Sequence, residues 1–135
     1  MNKFDIMYMD IAIRISQMSF SNRSKVAAII VKDNNIIAFG WNGITSGFNN
    51  DCEDENNNTH DEVIHAEENA ICKAAKQGIS LDNATIYLTL SPCPHCAKLI
   101  IQSGIKNVIY LEEYRINKSI EFLKKCNINV RKYDN

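Results

Sequence analysis

An α/β fold is what this sequence predicts, with a largely parallel sheet covered by helices on both faces. Two patterns carry that expectation. Runs of strand length alternate with segments of helix length along most of the chain. The first such run, Val26 to Val31, is continuously apolar, as in a strand buried on both sides. At 135 residues the chain is long enough for one domain with a full core, and no internal repeat or domain boundary interrupts residues 1–135.

The elements follow in order. Asn2 to Met18 carries Ile6, Met9, Ile13 and Met18 on a helical period, with Met7, Ile11 and Ile15 widening the apolar face. Val26–Val31 and Ile36–Phe39 flank the turn signal Asp33-Asn34-Asn35 and read as an antiparallel hairpin. Gly40 to Thr59, rich in Gly, Asn and acidic residues, reads as a long functional loop. A helix is expected to begin near Ala66, run through Asn69, Ala70, Ala74 and Ala75, and stop at Gly78. Ala84–Leu90 reads as a strand, and Pro94–Ser103 as a helix closed by Gly104. Val108–Leu111 is the next strand, Ile116–Lys125 a helix with Ile120 and Leu123 inward, and Ile128–Arg131 a short last strand.

Composition excludes several classes. A net charge of −1 and the lack of a dense Lys/Arg cluster argue against a nucleic-acid partner. No stretch approaches membrane-spanning length, and Met1 to Asp10 lacks the apolar core of a signal peptide. Five cysteines is an odd number, which points away from a secreted disulfide framework and toward the reducing cytoplasm, or a host cytoplasm if the source is viral.

The chemistry is concentrated in His65-Ala66-Glu67 and Pro92-Cys93-Pro94-His95-Cys96. A catalytic zinc site keeps three protein ligands and leaves one position open. His65, Cys93 and Cys96 supply three. The C-x-x-C spacing puts two sulfurs one helical turn apart, and Pro94 suits the first position of a helix whose dipole favours thiolates. Two thiolates and a neutral imidazole leave a zinc ion formally neutral, so its water is acidified less than in a site with only neutral ligands. A carboxylate nearby makes up the difference, and Glu67 is that residue, the general acid–base group. Residues two apart share no helical face, so His65 and Glu67 both reach the centre only where the helix begins. H-x-E followed by P-C-x-x-C is the signature of zinc nucleobase deaminases. A redox pair leaves His65-Ala66-Glu67 unexplained. A closed structural zinc needs a fourth ligand, and His95 should point away from the ion.

With Arg23, Gly40-Trp41-Asn42-Gly43, the extended block Thr89 to Lys98, Ile101-Gln102-Ser103-Gly104-Ile105 and Tyr114-Arg115, the chain resembles the deoxycytidylate (dCMP) deaminase family of the cytidine deaminase superfamily over most of its length. The resemblance implies a three-layer α/β/α sandwich with a five-stranded mixed sheet, and hydrolysis of dCMP to dUMP and ammonia. It also implies a homo-oligomer, typically a hexamer, activated by dCTP and inhibited by dTTP with Mg2+. Relatives often hold a second, structural zinc. Here Ser21 stands where one of its cysteines is often found, which counts against that ion and leaves Cys52 and His60 as remnants.

Substrate residues are expected around the ion. Arg23 and Arg115 suit a monophosphate, since guanidinium pairs with phosphate through two hydrogen bonds. Tyr114 suits stacking on a pyrimidine. Asn42 reads as a partner for the sugar hydroxyl or as a turn residue. Ser91 offers a carbonyl to the substrate amino group or merely precedes the helix, and Ala66 joins the substrate-contacting positions. By resemblance Gly40, Asn42 and Gly43 contribute to the allosteric nucleotide site. Cys72 and Cys126 read as core cysteines, Glu68 as a solvated or interface residue, and His95 as lacking a partner. Lys73 and Lys76 are expected on the exposed side of the zinc helix. Competing readings are another small-substrate deaminase, a tRNA adenosine deaminase and a non-enzymatic zinc scaffold. A Cys-Ala-Glu in place of His65-Ala66-Glu67 would mark free-nucleoside enzymes, a basic face would mark the tRNA enzyme, and a scaffold has no need of Glu67.

Overall fold

The structure is a computed structural model that describes residues 1–22, 24–44, 63–114 and 118–134. Arg23, Cys52, His60, Arg115 and the predicted helix start at Ile116 lie outside the described residues, as does most of the predicted loop. The element order is α1 (Lys3–Ser16), β1 (Ala27–Lys32), β2 (Asn35–Trp41), β3 (Gly43–Ile44), β4 (Val63–Ile64), α2 (Ala66–Lys76), β5 (Thr85–Leu90), α3 (Pro94–Gln102), β6 (Asn107–Glu112), α4 (Lys118–Lys125) and β7 (Asn129–Lys132).

Five strands form a mixed sheet in the order β2-β1-β5-β6-β7. β1 is antiparallel to both β2 and β5, whereas β5–β6 and β6–β7 are parallel. The sheet is thus half parallel rather than largely so, because the β1–β2 hairpin forms one side of it. Its turn is Asp33-Asn34, both with positive φ (52° and 61°), which Asp and Asn tolerate better than other side chains.

The two parallel crossovers place α3 and α4 on one face. They pack there with α2 over Ala28, Ile30, Ile86, Leu88 and Val108. Ile120 and Leu123 point inward as expected. The opposite face carries α1 over Ile29, Val31, Tyr87 and Ile109. The result is the three-layer α/β/α arrangement. No helix among the described residues is long and apolar enough to cross a membrane.

The face that α1 buries differs from the predicted one. Asp5, Tyr8, Met9, Ala12 and Ser16 are buried, while Met7, Ile13 and Met18 are exposed. Polar anchoring decides this rotation. The Tyr87 hydroxyl donates to Asp5 Oδ1 at 2.6 Å, Arg131 approaches Oδ2 at 3.6 Å, and the Tyr8 ring packs on Tyr87 at 5.2 Å between centroids. Small Ala12 and Ser16 then let the helix lie close to the sheet.

β2 also runs two residues beyond its predicted end and takes in Gly40 and Trp41, so the loop begins later. Gly40 is needed here for close approach. A Cβ on it would stand 2.8 Å from the Ala70 nitrogen and 2.9 Å from the Ala66 carbonyl, so this is where β2 meets the first turn of α2. Asn69 Nδ2 donates to the Trp41 carbonyl at 3.2 Å and seals that junction. Cys72 is exposed, contrary to expectation, because it lies two residues from both Ala70 and Ala74, the buried stripe of α2. Cys126 is half-buried at the edge of the core.

Candidate metal centre and active site

The site lies at the carboxyl ends of parallel β5 and β6, where the N-termini of α2 and α3 meet. Each helix start is set locally. His65 is the N-cap of α2, with extended backbone, and Ala66 opens the helix. Cys93 is the N-cap of α3, its Sγ accepting from the Cys96 N–H at 3.5 Å, and Pro94 follows in the first turn. The expected helix starts at Ala66 and Pro94 are the observed ones.

These caps bring three donor atoms together. His65 Nδ1 lies 3.3 Å from Cys96 Sγ and 3.6 Å from Cys93 Sγ. The three ligand atoms all fall within 4.8 Å of one another. Zinc bonds of about 2.3 Å to sulfur and about 2.0–2.1 Å to nitrogen, at tetrahedral angles, separate N from S by about 3.5 Å. The triangle therefore fits a zinc ion with one position open. Cys96 is buried, Cys93 half-buried and His65 exposed, so one side of the triangle faces solvent.

The protonation pattern of the metal-free chain matches a site prepared for a cation. The Cys93 thiol is lowered to about 3, first by a hydrogen bond from Cys96 and then by His65. Cys96 is pushed far up by that same bond and by burial. His65 is raised to about 9, chiefly by its hydrogen bond to Cys93. Cys93 is thus the thiolate of the metal-free site, and zinc binding would expel the protons of His65 and Cys96.

Glu67 is buried beside the triangle. Its carboxyl is raised from 4.5 to about 7, mainly by desolvation, with the Cys93 charge adding to it. A carboxyl near neutrality suits a group that takes a proton and returns it.

The other expected residues divide. Ser91 is buried and Tyr114 half-buried. The Tyr114 N–H donates to Ser91 Oγ at 2.6 Å, and the Ser91 N–H donates to the Glu112 carbonyl at 2.8 Å. Ala66 is buried in the core at the first position of α2. Asn42 is occupied by backbone: Oδ1 accepts from the Val26 N–H at 2.8 Å and Nδ2 donates to the Ser24 carbonyl at 2.7 Å. Gly40 packs on α2, and a Cβ on Gly43 would meet the Trp41 ring at 3.8 Å, ordinary van der Waals contact.

Two residues beyond the expected ligands and acid–base group meet at the centre. Glu68 Oε1 accepts from the His65 N–H at 2.8 Å, and Oε2 lies 3.2 Å from His95 Nε2. Glu68 is therefore tied down rather than simply solvated, and His95 has a partner. A glutamate three residues after a helix cap was the signal in the sequence. Lys73 lies over the Phe39 and Trp41 rings at 4.9 and 5.1 Å, so its amine packs on β2.

Residues 2–112 match the Cytidine and deoxycytidylate deaminase zinc-binding region family. The chain belongs to that family. The deoxycytidylate deaminase of Enterobacteria phage T4 is 36% identical over 151 aligned residues, covering 82% of this chain and 78% of its own. The deoxycytidylate deaminase of Saccharomyces cerevisiae is 33% identical over 140, covering 96% of this chain and 45% of its own. Among solved structures, the dCMP deaminase of cyanophage S-TIM5 in complex with dCMP and dUMP superposes with a TM-score of 0.95 at 44% identity, covering 98% of this chain and 99% of that one. Family membership accounts for the zinc triangle, and the superposition extends the likeness of fold over nearly the whole chain.

Proposed function

We propose that this chain hydrolyses dCMP to dUMP and ammonia. One observation carries the reading: the His65–Cys93–Cys96 triangle stands beside a buried Glu67, in a fold that superposes at a TM-score of 0.95 on a dCMP deaminase holding dCMP and dUMP.

The steps assigned to the chain's own residues are these. Zinc, when bound by His65, Cys93 and Cys96, supplies Lewis-acid activation of water. Glu67 would take a proton from the water that adds to the ring carbon bearing the amino group, and would pass it to the ring nitrogen. A second proton, from the hydroxyl added to that carbon, would travel through Glu67 to the departing ammonia, leaving the carbonyl of the uracil ring in dUMP. Burial of Glu67 keeps this shuttle apart from bulk water. Tyr114 stacks on the pyrimidine and Ser91 offers its carbonyl to the amino group. Asn42 and Ala66 line the nucleotide. Arg23 and Arg115 receive the 5′-phosphate and so favour the monophosphate over the nucleoside.

The regulatory part of the proposal is a homo-oligomer, a hexamer by family resemblance. It is activated by dCTP and inhibited by dTTP with Mg2+ through the Gly40-Trp41-Asn42-Gly43 segment. The thiol ligands suit a reducing compartment, the cytoplasm.

Ultraviolet-monitored deamination of dCMP beside deoxycytidine, each with and without dCTP or dTTP plus Mg2+, tests the reading. Turnover confined to dCMP, raised by dCTP and cut by dTTP, is expected. Preference for deoxycytidine overturns the substrate, and indifference to both triphosphates overturns the regulation.

A further inference from the structure

We infer that Glu68 is a positioning residue for the metal centre, a single carboxylate that fixes the ligand-bearing ends of α2 and α3 against each other. The inference rests on reading His65, Cys93 and Cys96 as zinc ligands. Its two oxygens are divided between the two helices. Oε1 accepts from the backbone N–H of His65, the residue whose ring supplies the nitrogen ligand. Oε2 meets the ring of His95, which sits between the two cysteine ligands on the first turn of α3.

The geometry explains why this side chain is suited to the task. At the third position of α2, Glu68 reaches back to the N-cap, the reverse half of a capping box. His65 and Cys93 stand at helix starts with extended backbone, and a helix start is softer than a helix interior because its first N–H groups lack partners within the helix. A bond to the His65 N–H restrains that softness at one ligand. The contact with His95 restrains the turn that holds the other two. The pair is partly open to water, with side chains 60% (His95) and 25% (Glu68) exposed. Such a pair adds little to global stability, so its effect should fall on the placement of the ligands rather than on the fold.

The test uses the full chain as wild type, Glu68→Ala, Glu68→Gln, His95→Ala and the double Glu68→Ala/His95→Ala. Zinc affinity is measured by competition with a chromophoric chelator, cobalt(II) absorption reports ligand geometry, and thermal melting of the metal-free proteins reports the fold. The expected result is about tenfold weaker zinc binding for Glu68→Ala, a smaller loss for His95→Ala, and a double variant no weaker than Glu68→Ala. Cobalt bands should shift while metal-free melting stays near wild type. Glu68→Gln keeps an oxygen of the same reach and should recover most of the affinity. Wild-type affinity and spectrum in Glu68→Ala overturn the inference. A glutamine variant as weak as alanine overturns it too, since negative charge rather than position would then hold the ion. A wild-type chain that binds no zinc overturns instead the metal reading on which the inference rests.

Discussion

The backbone N–H of Tyr114 donates to the Ser91 hydroxyl at 2.6 Å, tying the segment after β6 to the segment between β5 and α3. Ser91 thereby holds the residue proposed to stack on the base, in addition to any contact through its carbonyl. Ser91→Ala leaves that N–H without its partner, a change worth about 1–3 kcal/mol. The expected outcome is a severalfold rise in KM for dCMP with a smaller effect on kcat. Tyr114→Ala should raise KM further, since stacking is worth about 1–3 kcal/mol per base, while Tyr114→Phe keeps it. Steady-state kinetics on the three variants decides; a Phe variant as impaired as Ala would remove stacking from the account.

Glu67 carries the proton transfers in the proposed mechanism. Glu67→Gln preserves shape and leaves the His65–Cys93–Cys96 triangle intact. It should retain one zinc per chain and lose about 10²–10⁴ in kcat, the usual worth of a positioned acid–base group. Zinc content by elemental analysis and turnover of dCMP are measured on the same sample. Retained turnover would take Glu67 out of the mechanism, whereas lost zinc would make it a ligand.

The same residue makes a prediction about the metal-free protein. Burial raises the Glu67 carboxyl from 4.5 to about 7, so the folded chain keeps a proton that the unfolded chain gives up. Native stability from this group is fully present below pH 4.5 and is lost as pH rises through 7. Glutamine mimics the protonated acid at every pH. The melting temperature of metal-free Glu67→Gln should therefore draw ahead of metal-free wild type between pH 5 and pH 8. A gap that stays constant over that range would mean Glu67 does not titrate there.

Much of the site could be read from residue types and spacing, because metal chemistry demands particular atoms at particular intervals. His65, Cys93 and Cys96 converge as expected, and the i, i+2 argument for a helix starting at Ala66 holds. Periodicity also located the four helices and the five strands of the main sheet among the described residues. What it missed were contacts between elements distant in sequence. The rotation of α1 depends on Tyr87 and Arg131, far along the chain, meeting Asp5. The His95 contact depends on α2 and α3 starting side by side. The role of Gly40 depends on how closely β2 passes α2. A one-dimensional pattern holds no information on such meetings until the topology is known.

Asn42 separates two readings of the Gly40–Gly43 segment. Its amide already bridges the Val26 N–H and the Ser24 carbonyl. The Ser19 hydroxyl also donates to its backbone carbonyl at 2.8 Å. Asn42→Ala strips two backbone groups of their partners and should lower stability by about 1–3 kcal/mol per group left buried and unpaired. If the residue also touches nucleotide, KM for dCMP or the response to dCTP will change as well. Melting measured beside kinetics with and without dCTP distinguishes a turn residue from a nucleotide contact.

Gly40 supplies the most direct test of how the fold supports the centre. A methyl group at this position meets the Ala70 nitrogen at 2.8 Å, the Ala66 carbonyl at 2.9 Å and the Asn69 Cβ at 2.9 Å. Two of those atoms are backbone, so no rotamer change relieves the contact, and either β2 or the first turn of α2 must move. Overpacking of this kind costs about 1–3 kcal/mol. The displaced turn would be the one that presents His65 and Glu67. Gly40→Ala should therefore melt at lower temperature and bind zinc more weakly, and excess zinc should restore only part of the lost turnover because Glu67 is displaced along with His65. Full restoration by zinc alone would mean that only the ligand moved. Unchanged melting would mean that β2 and α2 separate more readily than their packing implies.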